Sequence, residues 1–171
     1  LPPWPLQAAS VPGVPAGLWL ALLPLTFLGL FVQCASEEVF FRGYFQSQLA
    51  ARLTHPAVWL TVPSAVFAWG HYAPEVYGSN AGLVALWAFV FGLAAADLTA
   101  RAGTLGPAIA LHLINNFMAL AVMSLSGEMS GLALMKLPYG PEDEAAVRAM
   151  LPVDLAMIGV SWLAARLALR A

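Results

Sequence analysis

Residues 16–35 read AGLWLALLPLTFLGLFVQCA, an apolar run without one charged side chain. A helix needs about 20 mostly apolar residues to cross the hydrocarbon core of a bilayer. The rest of the chain has the same character, because hydrophobic residues make up 61% of it and charged residues only 9%. Soluble domains carry about 25% charged residues, enough to cover their surface. We therefore predict an all-α, polytopic helical membrane protein.

The composition also excludes several classes of protein. A net charge of -2 leaves no basic surface for phosphates, so we expect no nucleic-acid partner. The single cysteine, Cys34, excludes an internal disulfide and a cysteine-built zinc site. The chain begins with Leu1 rather than Met, so we expect a processed chain or an excised domain that further helices can precede.

Five hydrophobic segments follow one another, with turn signals such as Thr54-His55-Pro56 between them. We predict about four core transmembrane helices plus one C-terminal helix, in a single domain over residues 1–171. The Pro-rich lead, residues 1–17, is predicted to be irregular or interfacial. Pro24 is predicted to break or kink the first segment. The predicted segments are 16 to about 53, 56–72, 81–100, 106–125 and, for the C-terminal helix, 141–170.

Ionisable side chains inside such segments are expensive and usually functional. Glu37 and Glu38 stand in the first segment, with Arg42 four residues after Glu38. This i, i+4 spacing predicts an ion pair between Glu38 and Arg42. Glu37 has no such partner on its own helix, and a desolvated glutamate suits the role of a general base. The alternative is a packing ion pair with one stray glutamate at an interface.

Two further i, i+4 pairs carry polar groups into the segments. Phe67 and His71 share a helix face, as do His112 and Asn116. Taken alone, His71 would be a capping or interfacial residue, and the other pair would be interhelical hydrogen-bond glue. Distances along the helices, at about 1.5 Å per residue, are counted from the segment ends expected on one side of the membrane. Glu37 and His71 each lie about 22 Å from that end, and His112 and Asn116 lie about 9 and 15 Å from it. A tilt or kink could absorb the difference. We therefore predict one intramembrane site formed by Glu37, Glu38, His71, His112 and Asn116.

Three motifs now support a resemblance. The stretches EEVFFRG at 37–43, FAWGH at 67–71 and HLINN at 112–116 lie in this order on separate hydrophobic segments. They resemble the Glu-Glu-x-x-x-Arg, Phe-x-x-x-His and His-x-x-x-Asn motifs of the CAAX protease and bacteriocin-processing family. Its members are also called Abi or type II CAAX prenyl endopeptidase-like intramembrane proteases. The resemblance covers about residues 25–125, the motif-bearing core.

The resemblance implies an endopeptidase, a hydrolase that cleaves a membrane-associated or lipidated protein or peptide. We expect membrane lipid and that substrate as partners, and a multi-pass position in the cell (plasma) membrane. By analogy, Glu37 activates a water, which His71 helps to hold, and His112 and Asn116 stabilise the oxyanion. Glu38 can share the role of the base, since neighbouring carboxylates titrate together. The residues assigned to support the site are Arg42 and Phe67.

Several alternatives remain open. Zn²⁺ could be bound by Glu37, His71 and His112 as a two-His, one-carboxylate site. We favour no metal and no other cofactor, because an oxyanion role explains Asn116, which is a poor zinc ligand. Cys34 is interpreted as a packing residue rather than a nucleophile. The same residues could also belong to a non-catalytic membrane scaffold or immunity protein, or to a proton-coupled carrier. Outside the motifs, Asp97 and Arg101 are predicted to form a terminal ion pair.

Overall fold

A computed structural model describes residues 10–170 of the chain. Almost all of the regular structure is helical, and two π-helical segments occur: Val39–Gln46 joins α1 to α2, and Met118–Val122 extends α6. The helices are α1 Ala16–Glu38, α2 Ser47–Ala50, α3 Pro56–Trp69, α4 Pro74–Tyr77, α5 Ala81–Ala102, α6 Gly106–Phe117 and α7 Glu144–Ala168. The strands are β1 Val11–Pro12, β2 Met123–Ser124 and β3 Met135–Lys136.

The predicted fold class is confirmed: the chain is a helical membrane protein. Three helical stretches are long and apolar enough to cross a bilayer, namely Ala16–Ala50, Pro74–Ala102 and Glu144–Ala168. Two shorter apolar stretches, Pro56–Trp69 and Gly106–Val122, complete the bundle. The outermost stretch, Ala16–Ala50, buries only Cys34, Glu38, Arg42 and Gln46. Large apolar side chains such as Leu25 and Leu28 are exposed on this stretch, as expected of a helix that crosses a bilayer.

Local sequence signals explain where several helices begin and end. Pro56 opens α3, and the Nδ1 atom of His55 caps it by accepting a hydrogen bond from the backbone N–H of Ala57 at 3.2 Å. A side-chain oxygen of Asp143 caps α7 in the same way. Gly103 ends α5 with φ 67°, in the left-handed region that favours glycine.

Helix α5 forms the centre of the bundle, in contact with α3, α6 and α7. Small side chains let its neighbours approach closely, as at Gly92, where an added Cβ would lie 2.9 Å from the Cβ of Ser64 on α3. The buried aromatic residues Phe67 and Phe91 fill the space between α3 and α5. This packing brings α3 and α5 alongside the π-helical segment that follows α1.

A small three-stranded sheet lies at the end of the bundle where α1 begins, in the order β1-β3-β2. Val11 pairs with Lys136 in antiparallel register, and Met123 pairs with Met135 in parallel register. The lead, predicted to be irregular or interfacial, contains a short strand at Val11–Pro12, and residues 1–9 lie outside the described part of the chain. Strands of two residues are too short to give a periodic signal in the sequence.

Two further expectations need correction. Helix α1 continues through Pro24, so the predicted break is absent, although a proline inside a helix leaves one backbone hydrogen bond unmade. The C-terminal helix begins at Glu144 rather than at residue 141, because Asp143 caps it after a turn. The predicted ion pair between Asp97 and Arg101 is confirmed at 2.8 Å, and Asp97 also accepts a hydrogen bond from the indole N–H of Trp162 on α7.

Candidate active site

The site is built around a carboxylate that has no exposure to solvent. Glu38 ends α1, and its Oε1 atom lies 2.8 Å from Nη1 of Arg42, with both side chains fully buried. The predicted ion pair is therefore present. Arg42 also donates from Nη2 to the carbonyl oxygen of Gly92 on α5 at 3.2 Å, and its guanidinium lies 4.9 Å from the ring centroid of Phe67. These contacts tie the first motif to both α3 and α5.

His112, on α6, contacts both glutamates. Its Nδ1 atom lies 2.8 Å from Oε1 of Glu38, and its Nε2 atom lies 3.8 Å from Oε2 of Glu37. An ionised carboxylate only accepts hydrogen bonds, so we assign the proton to Nδ1, which donates to Glu38. Nε2 is then left to face Glu37. The ring is held edge-on to Phe91 at 5.0 Å and to Phe67 at 6.0 Å.

Glu37 is the more accessible of the two glutamates, with 29% of its side chain exposed. Sequence analysis found no ion-pair partner for it on its own helix. The structure supplies a neutral partner one turn earlier, because Nε2 of Gln33 donates to Oε1 of Glu37 at 3.1 Å. The other oxygen, Oε2, is the one that faces His112. Two polar atoms 3.8 Å apart can share one water at ordinary hydrogen-bond distances.

Asn116 follows His112 by one turn of α6 and faces the same helix, α1. Its Nδ2 atom lies 3.5 Å from Sγ of Cys34, the residue one turn before Glu37. The amide is half-buried and contacts little besides this sulfur and the Asn115 side chain, whose Nδ2 lies 3.5 Å from Oδ1 of Asn116. Such long contacts constrain the amide weakly, so it can turn towards another acceptor.

His71 forms its hydrogen bond within its own segment of the chain. Its Nδ1 atom lies 2.8 Å from the carbonyl oxygen of Phe67, and the two rings are 4.4 Å apart. Within the described residues, no hydrogen bond joins it to Glu37, Glu38 or His112. Phe67 touches both histidine rings, so His71 reaches the site through this aromatic side chain.

The depth estimates from the sequence need correction. They placed His112 well below Glu37, yet His112 is hydrogen-bonded to Glu38. Glu38 lies 12 residues before the end of α2 at Ala50, whereas His112 lies only six residues after the start of α6. At about 1.5 Å per residue these separations are roughly 18 and 9 Å. The assumption of upright helices whose ends are level is therefore wrong.

The zinc alternative can be tested against the arrangement of donors. Across residues 10–170, no group of three or more His, Cys, Asp or Glu side chains is placed to hold a metal ion. Nδ1 of His112 is committed to Glu38, and Nδ1 of His71 to a backbone carbonyl. Nε2 is therefore the atom of each histidine that a metal would use, since ligating histidines commonly donate their other ring N–H to a carboxylate or backbone carbonyl.

Two glutamines on the same helical stretch as Glu37 and Arg42 were not predicted as part of the site. Gln33 stands at i, i+4 from Glu37, a spacing that could have identified it. Gln46 stands at i, i+4 from Arg42, and its amide donates to the carbonyl oxygen of Ala96 on α5 at 3.1 Å. The roles of Phe91 and of the Gly92 carbonyl depend on how α5 packs, and no local spacing predicts them.

Comparison with known proteins gives a family match. Residues 18–118 match the family described as type II CAAX prenyl endopeptidase Rce1-like. We found no match to the chain among curated proteins or among solved structures. The matched range covers more than half of the chain and contains all three motifs. It confirms the resemblance, and it indicates a peptidase, hence a hydrolase, that is integral to a membrane. The chain belongs to the Rce1-like family of type II CAAX prenyl endopeptidases.

Proposed function

We propose that this protein is an endopeptidase that cleaves a lipidated, membrane-associated protein or peptide by means of a water activated inside the membrane. The observation that carries this proposal is the pairing of Oε2 of Glu37 with Nε2 of His112 across 3.8 Å. One atom of each side chain faces the same gap, while the opposite atom of each is held by a neighbour. Such a gap between two proton-accepting atoms suits a nucleophilic water, which can donate a hydrogen bond to each of them.

In the proposed reaction, Oε2 of Glu37 takes a proton from the water as its oxygen attacks the carbonyl carbon of the substrate. The carbonyl becomes a tetrahedral oxyanion, which the Nδ2 amide of Asn116 stabilises by donating a hydrogen bond. The carbon–nitrogen bond then breaks, and the leaving amine takes the proton from Glu37. No metal is needed in this scheme. Atoms and charge balance, because the base returns to its starting state.

The hydrogen bond between His112 and Glu38 limits how His112 can take part in this reaction. Its Nδ1–H is committed to Glu38, so it can donate from Nε2 to an oxyanion only when both ring nitrogens carry protons. Glu38 and Arg42 fix the orientation of the ring, in the way that a buried carboxylate orients a catalytic histidine elsewhere. His71, with Nδ1 bound to a carbonyl, offers Nε2 as an acceptor that can receive the proton of a second water.

The family description favours a prenylated substrate, and the abundance of outward-facing apolar side chains is consistent with a substrate that arrives through the lipid. We therefore propose a multi-pass location in the cell membrane, with the lipid-anchored end of the substrate lying in the bilayer. The scissile bond would then reach Glu37 from the exposed side of α1.

A cleavage assay tests the proposed function. The purified protein, reconstituted in liposomes, is given a quenched fluorescent peptide that ends in an isoprenylated CAAX sequence. Glu37→Gln keeps the shape of the side chain but removes the base, so turnover should fall by at least about 100-fold. Glu75→Gln, an exposed glutamate on α4, is the matched control and should cleave normally.

The melting temperature of Glu37→Gln in detergent should stay close to that of the wild type, because this side chain is partly exposed and accepts one hydrogen bond. If Glu37→Gln retains near-normal turnover, the assignment of the base is wrong. If the wild type cleaves neither this peptide nor an unprenylated one, a non-catalytic scaffold or a carrier becomes the better interpretation.

A further inference from the structure

Gln33 is a polar side chain at the midpoint of a membrane-spanning helix. It lies 17 residues from each end of the helical stretch Ala16–Ala50, or about 25 Å. The side chain is exposed rather than packed against another helix. An amide exposed to hydrocarbon is costly, because it loses its hydrogen bonds to water. Its presence at this depth therefore needs a reason other than packing.

One face of α1 carries three polar side chains at this depth. Gln33, Ser36 and Glu37 stand at i, i+3 and i+4 and so point in similar directions. The hydroxyl of Ser36 donates to the backbone carbonyl of Gln33 at 2.8 Å, so only the amide of Gln33 reaches the Glu37 carboxylate. Within residues 10–170, this amide is the one group at hydrogen-bonding distance from that carboxylate.

The two oxygens of Glu37 thus have different surroundings. Oε1 accepts from Gln33 at 3.1 Å, and Oε2 faces Nε2 of His112 at 3.8 Å. A glutamate side chain turns about three bonds, and without a partner its carboxylate would sample orientations in which neither oxygen faces His112. A hydrogen bond from one turn earlier restricts that motion while leaving the second oxygen free.

We propose that Gln33 is a positioning residue for the reaction: its amide holds Oε1 of Glu37 so that Oε2 is the atom that takes the proton from water. This inference rests on the proposed role of Glu37 as the base. Gln33 acts through Glu37 and does not itself touch the reacting atoms. Misplacing a reacting group by about 1 Å can cost about 100-fold in rate. The loss of one positioning contact should therefore lower kcat by about 10- to 100-fold.

The test uses Gln33→Met, which keeps the length of the side chain and removes the donor. Gln33→Leu, which also removes the donor and adds no charge, is the second variant. Gln48→Met is the matched control, because Gln48 is a half-buried glutamine of the same helical stretch, near its end, whose side chain contacts Arg52 rather than the site. kcat and KM are measured with the isoprenylated fluorescent peptide, and melting temperature is measured in detergent.

Both Gln33 variants should lower kcat by about 10- to 100-fold, with KM within twofold and an unchanged melting temperature, while Gln48→Met matches the wild type. Three results overturn the inference: an unchanged kcat in either variant, a raised KM with unchanged kcat, or a loss of kcat that follows a lower melting temperature. The raised KM would make Gln33 a substrate contact instead. Failure here is separate from failure of the proposed function, because Glu37→Gln would still be inactive.

Discussion

Replacing Arg42 with methionine should destabilise the protein more than any other single change to an arginine. Its guanidinium lies in a fully buried ion pair with Glu38 at 2.8 Å and donates to the carbonyl oxygen of Gly92 at 3.2 Å. Methionine fills much of the same volume but leaves the carboxylate of Glu38 buried without its counter-charge. Breaking a buried pair in this way costs about 3–5 kcal/mol. In a protein of this size, that corresponds to a melting temperature lower by roughly 6–20 °C.

Arg101→Met is the matched control. Arg101 also stands four residues after an acid, Asp97, at 2.8 Å, but its side chain is 46% exposed. Exposed pairs of this kind contribute about 0–1 kcal/mol. Asp97 would also keep its hydrogen bond from Trp162. The melting temperature of Arg101→Met should therefore fall by less than about 4 °C.

Thermal unfolding in one detergent, followed by intrinsic tryptophan fluorescence, compares the two variants. The double variant Glu38→Gln/Arg42→Met, which removes both charges, should melt above Arg42→Met, since no uncompensated charge remains. The reasoning is refuted if Arg42→Met melts within about 2 °C of the wild type, or if Arg101→Met loses as much stability. The first result would mean that water or lipid headgroups screen the Glu38 carboxylate, and the second would mean that burial does not distinguish the two ion pairs.

Three further predictions follow from the same geometry. Asn116→Ala should lower kcat by about 10²- to 10³-fold in the cleavage assay, as expected for an oxyanion donor. The variant should melt like the wild type, because the contact of Asn116 with Cys34 is long, at 3.5 Å. If it unfolds instead, His112 and Asn116 serve to pack the helices together. Gly92→Ala should lower the free energy of unfolding by about 1–3 kcal/mol, because its Cβ would lie 2.9 Å from that of Ser64, and an unchanged denaturant midpoint would contradict this. Dialysis against a chelator should leave turnover intact, with zinc well below one per chain by elemental analysis; lost turnover that zinc restores would favour the metallopeptidase.

Local spacing explains what could be predicted from the sequence. The ion pairs Glu38–Arg42 and Asp97–Arg101 are both i, i+4 contacts within one helix, and both are present. The helical membrane fold could be predicted from the apolar segments. In hydrocarbon, backbone N–H and C=O groups can form hydrogen bonds only with one another, and a helix satisfies all of them. The order of three motifs then identified the family, and the match over residues 18–118 confirms it.

Contacts between helices could not be predicted in the same way. That His112 binds Glu38 through Nδ1 and faces Glu37 through Nε2 depends on how α6 crosses α1, which no local spacing encodes. The position of His71 behind Phe67 likewise depends on the rotation of α3 in the bundle. The strands were missed because each is held by pairing with distant residues rather than by its own pattern.

The π-helical segment shows why the first motif takes the form it does. Glu38, Arg42 and Gln46 are all buried and stand four residues apart. On an α-helix, four residues make slightly more than one full turn, so the three side chains would point in progressively different directions around the axis. The wider π-helical turn brings their directions closer together. Arg42 and Gln46 donate to the carbonyl oxygens of Gly92 and Ala96, which are also four residues apart.

Each of these α5 carbonyls has a second lone pair, so it can accept a side-chain donor without losing its helical hydrogen bond. Together, the two contacts fix the register of the first helical stretch against α5. Register matters because a rotation of α1 that exposed Glu38 would bury Glu37 in its place. The two contacts thus hold Glu38 in its buried position beside His112 and leave Glu37, with 29% of its side chain exposed, on the accessible side of the helix.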